Sequence, residues 1–315
     1  MNSLRKIRDR LLIRLLDRRL PPPSPREAAL IEALRRRIAA HPATPPRTGD
    51  SAAQREWDAN VERLRHLVAT EDPREFLRWD VITRTMVVGN TAYVQQELAH
   101  LRDLPDWGSR WAGVLKESAV GHPRPFPALP GASGNLIHHA YHLARFEAWT
   151  GRPVAELGTI FEFGGGYGSL CRLCHRLGFR GRYGILDLPV FADLQEFFLR
   201  ADGLPVGESV HCSPERESLE RRLAPAGAGG RLFLATWSLS ETARAVREPL
   251  LPFLTTFDHF LIAYQERFNE VDNVAWFGAW QASRPDLHWQ ERTIAHLPGN
   301  RYLMGSPRAA LPRPW

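Results

Sequence analysis

The chain has 315 residues, 43% of them apolar, enough for one large domain or two ordinary ones with a sizeable core. Its net charge of +6 is unevenly placed: residues 1–50 hold 12 Lys and Arg against 5 Asp and Glu, leaving the rest at −1, which argues against a nucleic-acid groove over the later motifs. No apolar run approaches the roughly 18 residues of a membrane-spanning helix, and three cysteines are too few for a disulfide framework.

Residues 3–20 read as a basic amphipathic helix, with Leu4, Ile7, Leu11, Leu12, Leu15 and Leu16 at helical spacing. Such a helix packs on its own protein, on a partner, or on an anionic membrane surface. Its start is too charged for a signal peptide, so the expected compartment is the cytoplasm, with a peripheral membrane contact as an option. Pro21-Pro22-Pro23-Ser24-Pro25 stops it, 26–40 forms a second helix, and 41–50 is a linker. Residues 51–120 are mainly helical. Residues 121–134, with four prolines and three glycines, should be irregular. Residues 135–149 form a helix burying Leu136, Ile137, Ala140, Leu143 and Phe146. The chain therefore divides into a basic arm and linker (1–50), a helical region (51–150) and an α/β region (151–315).

A first strand over about 158–163 ends in the most informative segment, Glu162-Phe-Gly164-Gly165-Gly166-Tyr167-Gly168. Alternating glycines let backbone N–H groups approach a ligand without Cβ clashes. In dinucleotide folds the third glycine comes three residues after the second. Here that place is Ser169, and the glycine comes one residue early. This spacing, with an acid two residues before the first glycine, suits S-adenosylmethionine, which carries no phosphate. Glu162 would order the loop and hold the methionine ammonium, directly or through water.

Residues 170–178 form a helix closed by Gly178. A second strand, 183–187, ends at Asp187, 23 residues after Gly164. An acid about 20 residues on in a βαβ unit accepts from ribose hydroxyls. The alternation continues: helix 190–200, strand 208–212, helix 214–223, strand 231–237, helix 241–251, strand 259–264 and a helix near 272–283. Strands 288–297 and 301–304 close the chain as a hairpin around Pro298-Gly299-Asn300. The expected fold is α/β, a Rossmann-like class I methyltransferase sheet of seven strands ending in an antiparallel hairpin. A dehydrogenase would end on a sixth parallel strand. Cys171-Arg-Leu-Cys174-His175 matches a haem-attachment string, but inside this helix buried thiols fit better.

Glu162–Leu170, Leu186-Asp187-Leu188-Pro189, residues 194–199, Trp237-Ser238-Leu239-Ser240-Glu241 and Asp272-Asn273 occur in one order. Together they resemble a bacterial sugar O-methyltransferase family associated with surface polysaccharide and glycan biosynthesis. The resemblance covers roughly residues 135–305. It implies S-adenosylmethionine as cofactor and a sugar or glycan hydroxyl as acceptor. Another small-molecule or lipid-linked acceptor, or a non-catalytic cofactor-binding scaffold, are the alternatives. Leu188, Trp237 and Ser238 join the glycine loop and Asp187 as expected cofactor neighbours, with Cys212 at the end of strand three, where adenine sits.

In-line methyl transfer needs an aligned acceptor oxygen, worth ~7–11 kcal/mol of the barrier, and a base for its proton. Glu241, after strand four, is the first candidate base; its other reading is a carboxylate starting a helix beside a Ser240 cap. His139 and His142 are the second candidates, with His138 beside them as an acceptor contact. Tyr264 and Gln265 end strand five and are expected to bind acceptor hydroxyls; Trp237 is placed to stack on a sugar or on adenine. No Asp/Glu/His set has metal-binding spacing, so catalysis is expected to be metal-independent.

Overall fold

The computed structural model describes residues 20–42, 52–89, 91–224 and 229–308. The basic helix expected over 3–20 and most of the linker over 41–50 lie outside them. Within the described residues no helix is long and apolar enough to cross a membrane. The chain forms two compact units: Met1–His139 with Pro189–Leu204, and Ala140–Leu188 with Pro205–Trp315.

The first unit is mainly helical. Its helix Pro25–Ala40 starts on a capping box, in which Ser24 and Glu27 exchange hydrogen bonds, and buries Ile31, Leu34 and Ile38. The helix Pro189–Ala201 belongs to this unit. There Phe191 packs edge-on against Trp57 and Phe198 against Phe76, and Asp193 accepts from His41 at 2.6 Å. Residues 121–134 are not irregular throughout. Pro125–Phe126 pairs with Leu129–Ser133, and Phe126 opposite Leu129 leaves Pro127-Ala128 as a two-residue turn. Prolines are tolerated here because the ribbon has two strands and each has a free edge.

The second unit holds a seven-stranded sheet. Its strands are β1 (Thr159–Phe163), β2 (Arg182–Leu186), β3 (Val210–Ser213), β4 (Arg231–Thr236), β5 (His259–Gln265), β6 (Leu287–Thr293) and β7 (Asn300–Pro307). The spatial order is β6-β7-β5-β4-β1-β2-β3. β1 to β5 are parallel, and β7 runs antiparallel between β5 and β6. This is the Rossmann-like sheet of seven strands expected from the sequence, antiparallel hairpin included. Strands covered on both faces need near-continuous apolar runs, and Leu232–Ala235 and Phe260–Tyr264 supply them. One face packs Phe161, Phe233, Phe260, Ile262 and Tyr264 against Leu219, Leu223, Phe253, Trp276, Phe277 and Trp280.

Two local expectations are corrected. No single helix spans 241–251. Pro249 and Pro252 lack the N–H a continuous helix needs, so the segment breaks into short turns at Ser238–Glu241, Arg244–Arg247, Glu248–Leu250 and Leu251–Leu254. The closing hairpin has a shorter first strand and a longer second one than expected. β6 stops at Thr293, and β7 begins at Asn300 straight after Gly299, whose φ is +77°.

Candidate functional site

The reversal of strand order between β1 and β4 opens a crevice at the carboxyl ends of the parallel strands, where ligands of such sheets bind. The glycine loop lies there. Gly164, Gly166 and Gly168 have φ of +69°, +57° and +92°, conformations that side chains disfavour. Gly165 is restricted by space: a Cβ on it would stand 2.5 Å from Ile185 Cγ2 and 3.1 Å from Glu162 Oε2. The Gly164 amide donates to the Leu186 carbonyl, and the Gly168 amide to that of Gly165, closing the turn. The loop thus presents backbone with no Cβ at four of its five positions. Tyr167, the fifth, is buried.

Glu162 sits under this loop, buried, accepting from the Tyr183 hydroxyl at 2.8 Å. Burial pushes its carboxyl up to about 8; the Tyr183 hydrogen bond opposes the shift and the Asp187 charge adds to it. Asp187 stands one residue past β2, half-buried, accepting from the Leu188 amide at 2.8 Å. Leu188 is one of two large apolar side chains exposed among the described residues, at 39%. Cys212 pairs with Ile185 in register on β3 and is half-buried. An apolar flank at Leu188 beside an acid at Asp187 suits a nucleoside better than a phosphate.

Trp237 follows β4 with φ +65° and ψ −37°, an outlier for a bulky residue. The turn is held from several sides. Its amide donates to the Ala263 carbonyl at 2.7 Å, and its indole N–H donates to Asn300 Oδ1 at 2.6 Å. His142 lies 5.4 Å from its ring. The sharp turn delivers Ser238 across to the glycine loop, where its hydroxyl donates to the Phe163 carbonyl.

Ser240 caps no helix. Its hydroxyl lies 2.7 Å from the Trp237 carbonyl and 2.6 Å from Gln265 Oε1, which share its one proton. Gln265 in turn donates through Nε2 to Glu241 at 3.2 Å. Glu241 is half-buried, and burial raises its carboxyl above the ordinary range while the Gln265 bond lowers it. A carboxylate stripped of water and held by one weak donor is a better proton acceptor than a solvated one.

Behind it lies a group that the sequence concealed. Arg247 is fully buried, donating to the carbonyls of Thr242 and Ser240 and to Asn273 Oδ1. Asn273 Nδ2 donates to the carbonyls of Ser240 and Gln265. Arg247 also lies over Trp276, 5.3 Å from the ring centroid. Arginine and asparagine thus tie the chain after β4 to the chain after β5. An arginine in a polar stretch reads as surface, and only its packing reveals the role. Asn300 reads equally plainly as a turn residue.

The other expected site residues lie as follows. Tyr264 is buried against Phe277 and its hydroxyl donates to Glu291, which commits the group expected to meet an acceptor. His142 is buried and bonded to the Tyr302 hydroxyl. His138 and His139 belong to the first unit. There His138 is buried and bonded to Glu97 at 2.8 Å. Burial, and secondarily His138, push His139 down to about 3, a weak base at neutral pH.

No family model matches the sequence, and no curated protein matches it. Solved structures with a similar chain course include an O-methyltransferase from Bacillus cereus in complex with SAH. It is 11% identical with a TM-score of 0.41, covering 72% of this chain and 95% of that one. Another is the mitomycin 7-O-methyltransferase MmcR, 14% identical, TM-score 0.36, covering 98% and 100%. A third is a SAM-dependent methyltransferase from Aquifex aeolicus, 16% identical, TM-score 0.36, covering 53% and 88%.

Proposed function

We propose that the protein is an S-adenosylmethionine-dependent O-methyltransferase acting on a hydroxyl of a sugar or glycan. The observation that carries this reading is the side-chain-free cradle after β1, with a buried acid beneath it and Asp187 past the neighbouring strand, on a sheet closed by an antiparallel hairpin. A phosphate-binding turn needs a different glycine spacing. The choice of a sugar rests on the sequence resemblance and on the indole of Trp237 at the strand end.

In this reading Asp187 accepts from the ribose hydroxyls, Leu188 and Cys212 flank the base, and the loop amides and Glu162 serve the amino-acid tail. When bound, the cofactor supplies an electrophilic methyl group on sulfur. Glu241 takes the acceptor proton, and Gln265 holds Glu241 in place. Arg247 and Asn273 keep the two loops in register.

Calorimetry against S-adenosylmethionine and NAD tests the cofactor. Binding of NAD with none of S-adenosylmethionine reverses the assignment. Mass spectrometry of products from a panel of sugars, lipid-linked sugars and other small hydroxylated acceptors tests the substrate class. Methylation confined to non-sugar acceptors removes the sugar, and retained binding with no turnover on any acceptor favours a scaffold.

A further inference from the structure

Glu162 is a carboxyl group with no cation beside it among the described residues. Among the described residues its one hydrogen-bond donor is the Tyr183 hydroxyl. The titratable groups acting on it are all acidic: Tyr183 on β2, Asp187 just beyond, and the thiols of Cys171 and Cys174 on the helix Ser169–Arg176. Burial raises both thiols and the Tyr183 phenol well above their usual values, so none is charged at neutral pH. The loop rests on the carboxyl so closely that a Cβ on Gly165 would approach its Oε2 to 3.1 Å. An isolated acid in such a place is most stable as the neutral acid, here up to about pH 8.

We propose that binding of the cofactor's cationic amino-acid tail in this cradle expels one proton from Glu162 to solvent. The O–H bond of the carboxyl breaks, the electron pair stays on oxygen, and the carboxylate faces the incoming cation. This rests on the cofactor reading above and deepens it. Before binding, ionisation is opposed chiefly by burial, with the Asp187 charge adding to it and the Tyr183 hydrogen bond working the other way. A cation held against Glu162 in a poorly solvated site would favour the ionised form. The positive tail and the proton therefore compete, and affinity depends on pH.

The test is calorimetric titration of the wild-type protein with S-adenosylhomocysteine, in buffers of differing ionisation enthalpy. The expected result is release of about one proton per ligand near pH 7, with affinity rising up to about tenfold per pH unit below about pH 8. Methylthioadenosine, which lacks the amino-acid tail, should bind with no proton released. Glu162→Gln should bind S-adenosylhomocysteine with no proton released; if that variant does not fold, the two wild-type titrations decide. Buffer-independent enthalpy with S-adenosylhomocysteine overturns the inference and leaves the cofactor reading intact. Proton release persisting with methylthioadenosine, or in folded Glu162→Gln, also overturns it. Failure of S-adenosylhomocysteine to bind at all sinks the cofactor reading and the inference with it.

Discussion

Ser238 and Gly164 are keyed to one another. A Cβ built on Gly164 would stand 2.3 Å from the Ser238 Cβ, while the Ser238 hydroxyl donates to the carbonyl of Phe163 next door. The first glycine of the loop is therefore demanded by the turn after β4 as well as by its own φ of +69°. The strained Trp237 turn makes the contact possible, because it swings residue 238 toward β1. Two loops far apart in sequence form one rigid floor.

Gly164→Ala should destabilise the protein by about 2–5 kcal/mol, combining the left-handed backbone penalty with overpacking. Adding Ser238→Gly should recover the overpacking part, less the cost of the lost hydroxyl bond to Phe163, which the Ser238→Gly single variant measures. Urea denaturation of both single variants and the double variant gives the coupling. Strictly additive effects would show that the contact contributes nothing.

Gly166→Val should fold with reduced stability and lose affinity for S-adenosylmethionine. Its φ of +57° strains a β-branched residue, and the proposed function sets the cofactor against this backbone. Unchanged affinity in the folded variant would remove this loop from the binding site.

Glu241→Gln should lower turnover by roughly 10²–10⁴-fold, with cofactor affinity nearly unaltered. In the wild type, turnover should fall as pH drops through a value above the ordinary carboxylate 4.5, because burial raises the Glu241 carboxyl and only its ionised form accepts a proton. The variant should lack that limb. A near-normal rate in Glu241→Gln, with His139→Ala or His142→Ala inactive, would transfer the role to a histidine.

Glu162 should make the ligand-free protein less stable as pH rises. Its folded value of about 8 exceeds the ordinary 4.5, so between them the native state binds more protons than the unfolded chain. Its contribution is fully present below about pH 4.5 and is lost on the way to about pH 8, with a slope of at most about 1.4 kcal/mol per pH unit. Denaturation series over this range should show the slope in wild type and its loss in Glu162→Gln. Parallel pH profiles for the two proteins would place the ionised acid in the native state.

Arg247→Lys should reduce turnover more than cofactor affinity and lower stability by about 2–4 kcal/mol. An ammonium lacks the planar fork that reaches Thr242, Ser240 and Asn273 together, so buried carbonyls lose partners. Full activity in this variant would mean that the loop bearing Glu241 needs no such tie.

The α/β alternation, the glycine cradle and the closing hairpin were legible because each is a local signal. Runs such as Phe260–Tyr264 are apolar enough to be covered on both faces, and Pro298-Gly299-Asn300 turns the chain by its own dihedral preferences. The break-up of 241–251 is equally local, because Pro249 and Pro252 each remove a backbone N–H that a continuous helix needs. The two-residue turn at Pro127-Ala128 was hidden by prolines that a two-stranded ribbon tolerates.

What no local pattern carries is which distant groups satisfy one another once water is excluded. Whether Glu241 begins a helix or meets Gln265, whether Tyr264 offers its hydroxyl or gives it to Glu291, and whether Arg247 faces water or locks two loops are settled by burial. An unpaired polar group inside the protein is costly, so packing dictates each partner, and packing joins residues by the sheet order and not by their place in the chain. The amino-acid sequence alone therefore determined the kind of fold and where its cradle lies. The tertiary structure alone decided which side chains hold that cradle and the carboxylates around it.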